Sequence, residues 1–207
     1  RHVIQEEHDA FTLFAKLRAS TNDSEASEFH RVGYRRFRNG DTQIKVNGAS
    51  EKRFSTLARL MPVQLITPES VELIIGGPKL RRQFMDWGLF HVEHSFYNDW
   101  VNFSKLLKQR NSLLKSKRFV VEHAYWDQQF AEYGERIHQH RQRYVDGFVS
   151  VVKERLKAFL PSYEFEFQLR SGWDKEFSLI DALTKHREQD IRYGHSTVGP
   201  HKAELRI

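Results

Sequence analysis

Apolar positions recur at heptad steps through the middle of the chain and at every second residue towards its two ends, which predicts a helical centre flanked by strands. Trp100, Phe103, Leu107, Arg110 and Leu114 are separated by three, four, three and four residues, one face of a helix. Trp126, Phe130, Tyr133, Ile137, His140, Tyr144, Phe148 and Val151 nearly repeat that stepping. The segment between the two seams, Ser116 to His123, is short. Long helices over about 96–117 and 123–159 are therefore expected to fold back on each other as an antiparallel arm.

Before the arm, Phe11, Leu13, Ala15 and Leu17 alternate with Thr12, Phe14 and Lys16, a strand with one strongly buried face. Phe29 to Arg38 and Thr42 to Val46 flank Asn39-Gly40-Asp41, where Asn-Gly suits a tight hairpin turn with positive φ angles. A meander follows, its exposed face expected to carry Arg31, Arg35, Arg36, Arg38 and Lys45, either as a solvated face that protects the sheet edge or as a phosphate-contacting patch. Ser55 to Leu60 reads as a short helix and Val63 to Ile66 as a short buried strand. Thr67-Pro68-Glu69 is a helix start, Gly76-Gly77 a stop, and Pro78 opens another helix with Leu80, Phe84 and Trp87 as its buried stripe. Beyond the arm, Tyr163, Phe165, Phe167 and Leu169 read as a strand, about 175–192 as a helix carrying Phe177, Ile180 and Leu183, and Ala203, Leu205 and Ile207 as a closing strand. The fold class expected is mixed α+β. Residues 1–66 would be β-rich, 67–160 a helical arm domain, and 161–207 a strand-helix-strand unit returning to the first.

Charge narrows the partners. A formal net charge of +6 on 207 residues favours polyanions, chiefly nucleic acid, and no cationic amphipathic helix stands at either end to suggest a membrane surface. There is no cysteine, which removes disulfides and thiolate metal sites. No apolar run approaches the roughly 20 residues of a membrane span, so a cytoplasmic location is the default expectation. The chain opens on Arg1 rather than Met and ends inside an alternating run, and it is read as part of something longer.

Catalytic motifs are missing. No segment fits G-x-x-x-x-G-K-[ST], and in Gly76-Gly77-Pro78-Lys79 the proline removes an amide that a phosphate cradle needs. No apolar strand ends in an acid to hold magnesium, His91 and His94 have no third ligand, and there is no nucleophile elbow. No catalytic residue and no metal site is assigned. Cations, by contrast, cluster. Lys79, Arg81 and Arg82 crowd a helix N-terminus, where they oppose the dipole and suit either an anionic partner or acids on the next helix. Lys105, Lys108, Arg110, Lys115, Lys117 and Arg118 follow with no acid between Asp99 and Glu122, a candidate stripe for DNA or an acidic protein. Arg110 and His140 also fall at core positions, where pairing that fixes the register is the competing reading.

The ordered blocks Leu65-Ile66-Thr67-Pro68-Glu69, Gly76-Gly77-Pro78-Lys79-Leu80-Arg81-Arg82-Gln83-Phe84-Met85-Asp86-Trp87, Leu106-Leu107-Lys108-Gln109-Arg110-Asn111-Ser112-Leu113-Leu114, Trp126-Asp127 and Gly199-Pro200-His201-Lys202-Ala203-Glu204-Leu205 resemble the RecF family of recombination and repair proteins. The resemblance runs the length of the chain. It implies part of an ABC-type ATPase head of the SMC and Rad50 group, with a short inserted arm. It also implies ATP and magnesium as cofactors of the intact family, ATP-dependent homodimerisation on single- and double-stranded DNA at gaps and junctions, and action with RecO and RecR to load RecA in repair, replication restart and the SOS response, in the cytoplasm at the nucleoid. The family's phosphate loop would precede the region matching Arg1, and its signature motif and magnesium-binding acid would follow Ile207, so this chain alone is expected to be inactive. Gln64 stands where related ATPases carry a metal-contacting glutamine, with a solvent-facing strand residue as the competing reading. An incomplete head would leave bare apolar surface or self-associate. The alternative function is a non-enzymatic helical module that binds an acidic protein.

Overall fold

A computed structural model describes residues 3–18, 29–116 and 123–207, with side chains at 123 and 124 left aside. The fold is mixed α+β, and the chain divides into two compact units, Arg1–Leu65 and Ile66–Ile207.

In the first unit, β1 (Ala10–Arg18), β2 (Phe29–Phe37), β3 (Thr42–Val46) and β4 (Ala49–Glu51) form an antiparallel sheet in chain order. Register follows the alternation. Ala15 lies opposite Val32, Val32 opposite Val46, and Tyr34 between Leu13 and Ile44. Helix α1 (Phe54–Leu60) follows, and Phe54 meets Tyr34 edge-on, as Phe11 does. Val32 and Ile44 are buried, but β1 is not the strongly buried strand expected, because Leu13 stays 59% exposed.

Turn chemistry differs from expectation in an instructive way. At Asn39-Gly40 only Gly40 has positive φ, and Asn39 Oδ1 instead accepts the Asp41 amide, making a wider connection. The two-residue hairpin with both central φ positive is Asn47-Gly48, at 52° and 87°, and it adds β4, an unforeseen strand. Strand parity also redistributes the arginines. Arg31, Arg35 and Lys45 share one face, Arg36 lies on the other with Tyr34, and Arg38 hydrogen-bonds the carbonyls of Gln5, Glu6 and His8. Val63–Ile66 is exposed and joins no ladder, since no described segment pairs with it and a lone strand leaves its amides to water.

The second unit begins with a 3₁₀ turn, Pro68–Val71, where Ser70 Oγ accepts the Thr67 amide, and continues as α2 (Glu72–Ile75) to Gly76. Helix α3 (Pro78–Val92) buries Met85, Gly88 and Leu89, whereas Leu80 and Trp87 are each 39% exposed. The buried stripe is rotated from the expected one because Gly88 permits a close approach. A Cβ there would lie 2.0 Å from the Tyr144 hydroxyl. Helices α4 (His94–Lys115) and α5 (His123–Phe159) make the antiparallel pair, with Asp99 meeting Arg136, Phe103 meeting Phe130 and Arg110 meeting Asp127. At 1.5 Å per residue α5 is about 55 Å long.

The remaining elements pack on these helices. Only Gln168–Arg170 (β5) of the expected strand is laddered, antiparallel to β6 (Glu204–Arg206). The expected helix over 175–192 is two. Ser178 caps α6 (Leu179–Lys185) by accepting the Asp181 amide, and a break at His186 leads into α7 (Arg187–Tyr193). Leu179, Ala182 and Leu183 join Phe103, Phe130 and Ile137 in the main core. Gly199, at φ 130°, hands its amide to the Gly172 carbonyl, and a Cβ on Gly172 would sit 2.2 Å from the Gly199 carbonyl oxygen.

Candidate nucleic-acid interface

Helical geometry separates the arm's cations by face. At 100° per residue, Phe103, Leu107, Arg110 and Leu114 cluster on one side of α4, while Lys105, Lys108 and Lys115 fall on the opposite side within about 80° of one another. The structure agrees with that division: Phe103, Arg110 and Leu114 are buried, and the three lysines are exposed.

Arg110 is therefore removed from the candidate binding residues. It is 1% exposed, its Nε donates to Asp127 Oδ1 at 2.8 Å, and its Nη1 donates to Asp190 Oδ2 at 2.6 Å and to Ser196 Oγ at 2.8 Å. Asp190 Oδ1 in turn accepts the Thr197 amide and hydroxyl, and Asn111 Oδ1 accepts the Ser196 amide. One guanidinium thus joins α4, α5, α7 and the following loop. Two carboxylates flank this single buried cation, and Asp190 accepts hydrogen bonds on both of its oxygens, which offsets the desolvation of the charges. His140 behaves likewise. Its Nδ1 accepts from Arg143, and its Nε2 lies 3.3 Å from Asp99 Oδ2.

The cations at the start of α3 also turn inward. Arg81 donates to the carbonyls of Leu73, Ile74 and Gly76 and pairs with Glu204 at 3.2 Å. Its charge sits at the C-terminal end of α2, where the dipole welcomes it, which offsets the unfavourable position in α3. Arg82 donates to the Ala203 carbonyl at 2.6 Å. The acid met is on β6 rather than on the next helix, as local sequence had suggested. Lys79 remains exposed, and Lys117 and Arg118 lie outside the described residues.

Sequence reasoning missed Arg141, one residue past the seam position of His140. It is 3% exposed, forks onto both oxygens of Asp86 at 2.8 and 2.9 Å, and donates to the Pro200 carbonyl at 2.6 Å. It also missed the state of His201, which burial pushes down to about 4 while its Nε2 meets the Ser196 carbonyl at 3.0 Å. Both partners, Asp86 and Pro200, stand inside the blocks quoted above, but nothing in a single sequence says which distant arginine answers them.

The Gly76-Gly77 pair serves as a connection between two helices. Gly76 and Gly77 end α2 and lead into Pro78, the nearest arginines are engaged with carbonyl oxygens, and Gln64 is exposed in the unladdered segment. Among the described residues no three His, Asp or Glu side chains gather as a metal site, and no helix is long and apolar enough to cross a membrane.

No protein-family model matches the chain. It is 41% identical over all 207 residues to DNA replication and repair protein RecF of Shewanella sp. (strain W3-18-1), and 42% identical to the RecF of Shewanella sp. (strain MR-7), covering 56% of each. Among solved structures it resembles the recombination mediator protein RecF with ATP in the RecFOR pathway, at a TM-score of 0.81 and 24% identity over 99% of the chain and 57% of that protein. The corresponding ATPrS structure gives 0.78 and 23%. The chain thus spans a little over half the length of the relatives it matches.

Proposed function

The chain belongs to the RecF family, and on that premise we propose that it forms the central part of a recombination mediator, an ATP-dependent DNA-binding protein that acts at single-strand gaps and duplex junctions with RecO and RecR to load RecA. The observation that supports this most is likeness along the whole chain: 41% identity over all 207 residues, together with the mixed α+β fold. ATP and magnesium belong, on this reading, to residues of the relatives that this chain does not include, and dimerisation follows nucleotide binding there. The chain's own share is the arm and the cations on its outer face.

DNA contact is assigned to Lys79, Lys105, Lys108 and Lys115, which are exposed, and not to Arg110, which is buried. Lysines of this kind bind the backbone as point charges, so their contribution is shared across sequences. Replacing Lys105, Lys108 and Lys115 together by Glu is expected to weaken duplex binding at least tenfold in a fluorescence anisotropy titration, with an unchanged melting curve. Full affinity in that variant would remove the arm from the DNA interface. Should the chain instead bind an acidic protein and ignore DNA, the helical interaction module is the better description.

A further inference from the structure

The sheet of the first unit has a second face, turned away from α1, whose chemistry the arm does not explain. Strand pairing sets Phe14 opposite Gly33 and Gly33 opposite Lys45, and it sets Lys16 opposite Arg31 and Arg18 opposite Phe29. With Arg35, that face holds five exposed cations and, among the described residues, no ion pair to any of them and no acid.

Protection of a sheet edge does not account for this. Lys16 and Arg18 on β1 could serve that end, but Arg31 and Arg35 stand on β2, which is paired on both sides and has no edge to guard. Lys16 directly opposite Arg31 is a like-charge cross-strand pair, an arrangement that costs stability until an anion answers it.

Aromatic rings lie among these charges. Phe14 is 71% exposed, and Phe29 carries Lys16 Nζ 4.1 Å from its ring centre. Gly33 beside Phe14 leaves a shallow trough towards Lys45, Asn47 and Gly48. Packing does not demand that glycine, since a Cβ there would meet only Lys45 Cβ, at 3.9 Å. Its effect is to keep one side of the Phe14 ring open. Phe14 and Phe29 are separated by about 13 Å along the strands, a few nucleotides of an extended chain, with Lys16 and Arg31 between them.

We propose that this face binds an unpaired nucleic-acid strand, with a base stacked on Phe14 and phosphates held by Lys16, Arg31 and Lys45. The inference rests on the DNA-binding reading above and adds a site and a strand preference to it. A projecting aromatic ring selects single strands because the faces of duplex bases are already occupied by their neighbours, whereas an unpaired base offers both.

The test is fluorescence anisotropy of the whole chain with labelled oligothymidylate and, separately, a blunt duplex. Phe14→Ala is expected to weaken oligothymidylate binding about tenfold and leave duplex binding unchanged, while Phe14→Tyr keeps both. Arg31→Glu with Lys45→Glu should weaken single-strand binding further and reduce its salt dependence by about two phosphate contacts. All these residues are exposed, so thermal melts of the Phe14 variants should coincide with that of the unaltered chain, and the charge-reversed variant should melt no lower, since Arg31→Glu makes the pairing with Lys16 attractive. If both sets of variants bind oligothymidylate normally, this site is overturned and the DNA-binding reading survives. A loss on charge reversal with none for Phe14→Ala overturns the strand assignment. Failure of the unaltered chain to bind either DNA overturns both.

Discussion

Arg110 shows how one residue can satisfy two sequence readings until its surroundings are seen. It belongs to a basic run and also to a heptad seam, and the seam decides, because the helical angle puts it opposite Lys105 and Lys108 and against two carboxylates. Nothing local reveals Asp190, which comes from eighty residues away. Arg110→Ala leaves Asp127 and Asp190 buried without their cation and is expected to cost about 3–5 kcal/mol in urea denaturation. Normal stability with lost DNA affinity would return Arg110 to the interface. His201 offers a pH test at the same scale. Burial holds its folded value near 4 against an ordinary 6.5, so between those limits the unfolded chain binds a proton that the folded chain refuses. Stability should therefore fall as pH drops from about 6.5 towards 4, by up to about 1.4 kcal/mol per unit from this group. In His201→Gln, which keeps a donor for the Ser196 carbonyl, that part of the slope should disappear. Matching pH profiles for the two proteins would show that His201 does not contribute it.

At the scale of elements, the long helices run His94–Lys115 and His123–Phe159, where two heptads of apolar spacing in the first and more than three in the second leave little room for a competing strand. Short elements fared differently. Helix α3 was expected to bury Leu80, Phe84 and Trp87, the largest apolar residues in register. The face that packs is set by Gly88, whose missing side chain lets Tyr144 approach. Size misled because contact distance, not volume, chose the face. Gly88→Ala should accordingly destabilise the α3–α5 packing by about 1–3 kcal/mol despite a better helix propensity. Tyr144→Phe in the same protein should recover part of it by removing the hydroxyl, and a calorimetric double-mutant cycle would show this as coupling. Additive losses would mean that the ring does not meet the new methyl. The hairpin at Asn47-Gly48 was legible by the same dipeptide rule applied at Asn39-Gly40, but a three-residue strand behind it carried too little alternation to be noticed.

For the whole molecule, motif order along the chain carried the family, while the candidate interface was legible only in part. The exposed lysines of α4 could be named from sequence, and the heptad seam already offered an inward Arg110, whereas nothing local chose between the partners open to Arg81 and Arg82. Apolar surface is another whole-molecule property: within their own units, Leu65 is 75% exposed, and Ile66 and Phe159 are 82% and 81% exposed. Such surface favours association, and sedimentation velocity is expected to show a weight-average mass that grows with concentration. A single concentration-independent monomer would contradict that.

The central claim is that the outward cations of this chain meet the phosphate backbone of DNA, and its most direct test is the salt dependence of binding. Duplex affinity of the unaltered chain should fall linearly in a plot of log K against log salt, with a slope near minus three to minus four if Lys79, Lys105, Lys108 and Lys115 each neutralise a phosphate. A flat plot, or no binding at low salt, would contradict the account.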